Sequence, residues 1–172
     1  MLKATDIFQR LPAPTVDGIL THLQSADKPT YRVAIQTLAT ARKLRPIFVE
    51  RKPRPERHAW MQGALARPQN EQISANLLQM WLMGSQAPML CDFLDSLGIA
   101  HDEQGGIENL PPCPEADKLR AAVDSLLTKY PADAVAVYLH SFQGMDIAGW
   151  PPLDEALAND PRLQLTPAPA GA

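Results

Sequence analysis

An all-α fold of packed helical hairpins is predicted for this chain, with about seven or eight helices in a bundle or short irregular array. Apolar side chains recur at i, i+3, i+4 and i+7 along most of the sequence. Prolines fall at the joins between these stretches, where helices start or stop. Only Ile47-Phe48-Val49 and the flanks of a loop at 98–114 read as extended, too little to build a sheet.

Taken in order, a short helix is expected near 4–10, followed by helices at about 15–25, 29–44 and 55–66. The next, at about 69–84, is apolar around most of its circumference through Ile73, Leu77, Leu78, Met80, Trp81 and Leu82, and is predicted to be the central, most buried element. A helix at 87–97 precedes the long loop. The clearest stripe runs over 115–130, through Leu119, Ala122, Val123, Leu126, Leu127 and Tyr130. Glu115 and Asp117 in its first turn and Lys129 in its last suit the helix dipole. Pro131 closes it and opens a helix at 132–143 with the stripe Val135, Tyr138, Leu139 and Phe142, and a last helix covers 152–158. Helix–turn–helix stretches superpose around Pro29, Pro88 and Asp133, but the spacings of 59 and 45 residues are not a fixed period, so no solenoid is predicted.

At 172 residues the chain is long enough to bury a core without staples. One domain is expected over 1–165, with possible lobes 1–66 and 67–165, and a flexible Pro- and Ala-rich tail at 166–172. The two cysteines, Cys91 and Cys113, make no disulfide framework. The first residues hold no apolar signal core, and the longest apolar run, Leu77–Met83, is too short for a bilayer. The cytoplasm is the expected compartment, with no membrane partner.

Charge is sorted along the chain. Residues 1–87 carry 12 of the 16 Lys and Arg against 6 acids, a formal +6; residues 88–172 carry 4 against 13, a formal −9. Seven cations crowd into 42–58, answered by Glu50 and Glu56. Such a pattern bears on partners more than on fold. Prolines 53 and 55 are expected to hold the second half of this segment extended, as an arm, and the segment presents Arg45, Arg51, Lys52, Arg54 and Arg57. These five are the predicted contacts for an acidic protein surface or for self-association. An alternative is nucleic acid, with phosphates neutralised by the cations and Phe48 or Trp60 stacking on bases; the overall pI near 5.8 argues against a dedicated DNA binder. The plainest reading is a solvated connector.

A second alternative is an enzyme or metal site in the loop 98–114. A small hairpin turning at Asp102–Gly106, pinned by Ile99, Ile107 and Leu110, would project His101, Asp102 and Glu103, residue types able to move protons or hold a metal. The motif support is thin. No H-E-x-x-H occurs, the calcium-loop pattern is not met, and Cys91, His101 and Cys113, with His140 or Asp102 as a fourth ligand, match no structural zinc spacing. His140 is a weak candidate base. It lies off the stripe of its helix and is expected at the surface or boundary, satisfied by a neighbour. Cys91 is expected to pack as a small hydrophobe, and the methionines 80, 83 and 89 as core filler. With no P-loop, dinucleotide fingerprint or nucleophile elbow, no cofactor or metal is expected, and the favoured expectation is a non-catalytic interaction or adaptor module that uses the basic segment 42–58 and the acidic C-terminal half as its two faces.

Overall fold

The computed structural model describes residues 1–166; the predicted tail falls, but for Thr166, outside the described residues. The architecture is all-α. Ten α-helices follow one another, with no strand among the described residues. They are α1 (Ala4–Arg10), α2 (Ala13–Ala26), α3 (Lys28–Ala41), α4 (Pro46–Glu50), α5 (Arg54–Leu65), α6 (Glu71–Ser85), α7 (Ala87–Leu97), α8 (Ala116–Lys129), α9 (Ala132–Gln143) and α10 (Pro151–Asn159). They form two compact units: a first unit of Ala4–Trp81, and a second of Leu82–Thr166 together with Met1–Lys3. The division falls inside α6, beyond the 66/67 lobe boundary suggested by the sequence.

In the first unit each amphipathic stripe is buried as its spacing requires. Val16, Ile19, Leu20 and Leu23 of α2 face inward, as do Ala34, Ile35, Leu38 and Ala39 of α3, and Met61, Ala64 and Leu65 of α5. Each large aliphatic side chain so placed contributes about 1.5–3 kcal/mol. Helix ends that lack a local cap borrow one. The Glu71 carboxylate of α6 accepts from the Ala4 and Thr5 amides and the Thr5 hydroxyl at 2.8–3.0 Å, completing the first turn of α1. Asn70 and Ser74 donate to the Ala64 and Leu65 carbonyls at the end of α5. Asp27 caps α3 by accepting from Thr30.

The segment 42–58 corrects the sequence reading. It is no extended arm: α3 stops, α4 intervenes and α5 begins at Arg54. The stop is a Schellman turn, in which Lys43 takes a left-handed φ of 57° while Leu44 N–H donates to Ala39 O and Lys43 N–H to Thr40 O. Its prolines do not extend the chain: Pro46 starts α4 and Pro55 sits in the first turn of α5. An absent N–H costs nothing there, and the fixed φ already suits a helix.

In the second unit, α7 ends on Gly98 in the left-handed region, φ 72°, again with a Schellman pair of bonds. The most buried helix is α9, not α6. Every residue from Ala134 to His140 is buried, with Phe142 and Gln143, whereas Ile73, Met80 and Met83 of α6 are only half-buried. Phe93, Tyr138, Phe142 and Trp150 pack edge-to-face in a chain with centroids 4.9–5.9 Å apart. Trp150 Nε1 donates to Pro111 O at 2.8 Å, which ties the end of the long loop to this core.

Candidate functional site

Helix α4 is five residues long, and one of them decides the orientation of the rest. Val49 is fully buried, so the helical turn directs Ile47 and Phe48 away from the core. Ile47 is 42% exposed and Phe48 61%, and Leu44, just before the helix, is 40% exposed. The cations flanking these residues in sequence, Arg42, Lys43, Arg45 and Arg51, are all exposed as well. Within the first unit eleven Lys and Arg face six acids, a formal +5; the second unit has five against thirteen, a formal −8.

The five predicted contacts do not behave alike. Arg45 and Arg51 are exposed and Lys52 is half-buried. Arg54 reaches Asp17, with Nε 3.5 Å from Oδ1. Arg57 turns inward: Nε donates to the Tyr31 hydroxyl at 2.8 Å, and Nη1 donates to the Glu50 and Lys52 carbonyls at 3.3 and 3.2 Å. Arg57 is therefore a brace on the C-terminal end of α4.

That brace leads to a polar cluster absent from the sequence reading. His58 is 2% exposed, with Nδ1 2.7 Å from Asp17 Oδ1 and Nε2 3.0 Å from the Tyr31 hydroxyl. The donors can be assigned by elimination. Asp17 accepts from Nδ1–H, so neutral His58 has a lone pair on Nε2, which accepts from the Tyr31 O–H. The phenol oxygen in turn accepts from Arg57. Every proton has an acceptor while the imidazole is neutral. Burial pushes the His58 pKa below its ordinary value; the Asp17 hydrogen bond and charge pull it back, while Arg57 and Arg54 lower it further. Burial likewise raises the Tyr31 phenol, against the opposing pull of Arg57. Asp17, Tyr31 and His58 come from three helices, so no local spacing betrays them. The one signal is that His58 shares the apolar stripe of Met61 and Leu65 at i, i+3 and i+7.

The loop 98–114 closes a tight turn at the predicted place. Asp102 N–H donates to Gly106 O and Gly105 N–H to Asp102 O, while Asp102 Oδ1 accepts from the Gln104 and Gly106 amides. Gly105 is buried at φ 75° against Leu90, where a Cβ would collide with that side chain. The turn therefore lies on α7 instead of projecting its histidine. His101 Nδ1 is 2.6 Å from Asp102 O and Nε2 2.9 Å from Asp95 Oδ1, so both ring nitrogens face acceptors. These hydrogen bonds, that to the Asp102 carbonyl foremost, raise the His101 pKa and favour the imidazolium. Glu103 is exposed, and its carbonyl accepts from Cys91 Sγ at 3.6 Å. Cys91 is accordingly half-buried, and Cys113 is exposed.

His140 corrects a second expectation. It is buried, at 3% exposure, because α9 is covered on nearly every side and keeps no solvent face for an off-stripe residue. Leu2 N–H donates to Nδ1 at 3.0 Å and Nε2–H donates to Leu163 O at 2.9 Å. These bonds fix the Nε2–H tautomer and place His140 as a tie between α9 and the segments holding Leu2 and Leu163.

Among the described residues, no three His, Cys, Asp or Glu side chains are grouped to hold a metal ion, and no helix is long and apolar enough to cross a membrane. No family model, curated protein or solved structure matches the chain, and its function rests on its own geometry.

Proposed function

We propose that this protein is a non-catalytic interaction module that docks an acidic partner protein on the surface of α4. The observation that carries the reading is that Leu44, Ile47 and Phe48 are all exposed within one short segment that also exposes Arg42, Lys43, Arg45 and Arg51. An aromatic and two aliphatic side chains among arginines match the composition of interface centres, where Phe and Arg are enriched. Exposed apolar clusters of this kind mark association surfaces. The cations add long-range attraction for an acidic partner and set its orientation. Supporting the non-catalytic half of the reading, His58 and Tyr31 are buried with their hydrogen-bonding capacity satisfied inside the fold, and His101 is folded back onto α7.

The test is a titration with a fluorescein-labelled helical peptide bearing Glu and Leu on one face. Binding is expected to weaken as salt rises, and to be lost in Phe48→Ala and in Arg45→Glu/Arg51→Glu with the circular dichroism unchanged. Absence of binding, or binding indifferent to these substitutions, overturns the proposal. Tighter binding to single-stranded nucleic acid than to the peptide, with a steep salt dependence, replaces it by phosphate recognition.

A further inference from the structure

Helix α4 is too short to hold itself. Five residues are below the length at which helix formation sustains itself in water, so its geometry depends on packing and on whatever grips its last turn. Val49 provides the packing. The grip is Arg57, whose Nη1 holds the Glu50 and Lys52 carbonyls. Arg57 is held in turn through Tyr31, His58 and Asp17.

We propose that the α4 surface is secured by a proton-sensitive clamp, the chain Asp17–His58–Tyr31–Arg57, which is closed while His58 is neutral and opens when His58 is protonated. The inference rests on the docking role proposed for α4 and assigns that site its regulation.

The argument is one of donors and acceptors. Neutral His58 accepts the Tyr31 proton, leaving the phenol oxygen free to accept from Arg57. Protonated at both nitrogens, His58 becomes a donor toward Tyr31. The phenol proton then has no acceptor within the cluster, where Tyr31 is 4% exposed. The hydroxyl must turn or move, and Arg57 moves with it. The charged and titratable groups facing His58 are Asp17 from α2, Tyr31 from α3, and Arg54 and Arg57 from its own helix. Asp17 alone favours the imidazolium, while burial and the two arginines oppose it, so the clamp is closed at neutral pH and opens on acidification.

Amide hydrogen exchange on the full chain, read by NMR, tests this without any partner. The reporters are the amides of Phe48, Arg51 and Lys52, which donate to Arg45 O, Ile47 O and Val49 O. Between about pH 7.5 and about pH 5, after correction for intrinsic rates, their protection is expected to fall about tenfold, while that of Val135 in α9 is unchanged. Tyr31→Phe is expected to remove the pH dependence by leaving these amides weakly protected throughout. Should that variant not fold, Arg57→Leu at its half-buried position carries the same expectation. Protection at α4 that is unaltered by pH, or that survives loss of the Arg57 brace, overturns the clamp. Because the reporters are backbone amides, a clamp that works beside a peptide that fails to bind rejects the docking role alone.

Discussion

The Tyr31 hydroxyl and His58 Nε2 stand 3.0 Å apart, and the proton between them belongs to the phenol, because Asp17 claims the ring proton at Nδ1. A buried histidine held neutral in this way makes stability depend on pH with a definite sign. Its folded pKa lies below the ordinary imidazole value of about 6.5. As pH falls past that value the unfolded chain takes up the proton first. The contribution of neutral His58 is therefore complete above about pH 6.5 and is lost as pH falls toward the lower folded value. Urea unfolding across this range should show the loss. At neutral pH, Tyr31→Phe should cost about 1–3 kcal/mol, since it leaves both Arg57 and His58 short of a partner.

His101 should behave in the opposite sense. Its pKa is raised by the Asp102 carbonyl and the Asp95 carboxylate, so the charged ring is favoured by the folded chain. The associated stability is present below the ordinary imidazole value and disappears as pH rises through the raised one. NMR titration of the ring protons should find His101 titrating above a free histidine, and Asp95→Asn should bring it down. An unchanged midpoint in that variant would show that the ion pair does not act on the ring.

Tyr138 has a buried hydroxyl with no hydrogen-bond partner among the described residues, and burial raises its pKa strongly. Tyr138→Phe keeps the ring against Phe93 and Phe142 and removes only the orphaned group. The variant should gain about 1 kcal/mol or more in urea unfolding and about 2–4 °C in Tm.

Neighbouring residues of α4 should divide cleanly. Val49→Ala removes buried methyl groups and should cost about 2 kcal/mol, whereas Phe48→Ser should shift stability by no more than about 0.5 kcal/mol. Thermal denaturation of the two variants side by side checks the contrast. A large loss in Phe48→Ser would mean that Phe48 supports the fold and is not a surface side chain reserved for a partner.

The difference between these adjacent residues also explains what sequence alone could and could not reveal. Long stripes such as Leu119 to Leu126 announce their helices because a period of 3.6 needs several turns to declare itself. A five-residue helix that begins on Pro46 does not, and Ile47-Phe48-Val49 reads as readily as a strand. The basic cluster was visible, but its division into exposed Arg45 and Arg51 and inward-turned Arg57 depends on where the start of α5 meets Tyr31. The Asp17–His58 pair joins residues 41 positions apart, and each has an ordinary local setting. His140 failed as a surface residue for a related reason. Helical periodicity describes one face of a helix, and α9 is covered on the others by segments remote in sequence.

The edge-to-face ring chain ending at Trp150 has a practical consequence. Trp60 and Trp81 belong to the first unit, and Trp150 belongs to the second, buried against Phe142. The chain thus carries a native optical label in each unit. Trp150→Phe subtracts the second unit's emission, and the difference between the two melting curves tells whether the units lose structure in one step or two. The same indole donates to Pro111 O, so one spectrum follows both the core of the second unit and the attachment of the long loop to it.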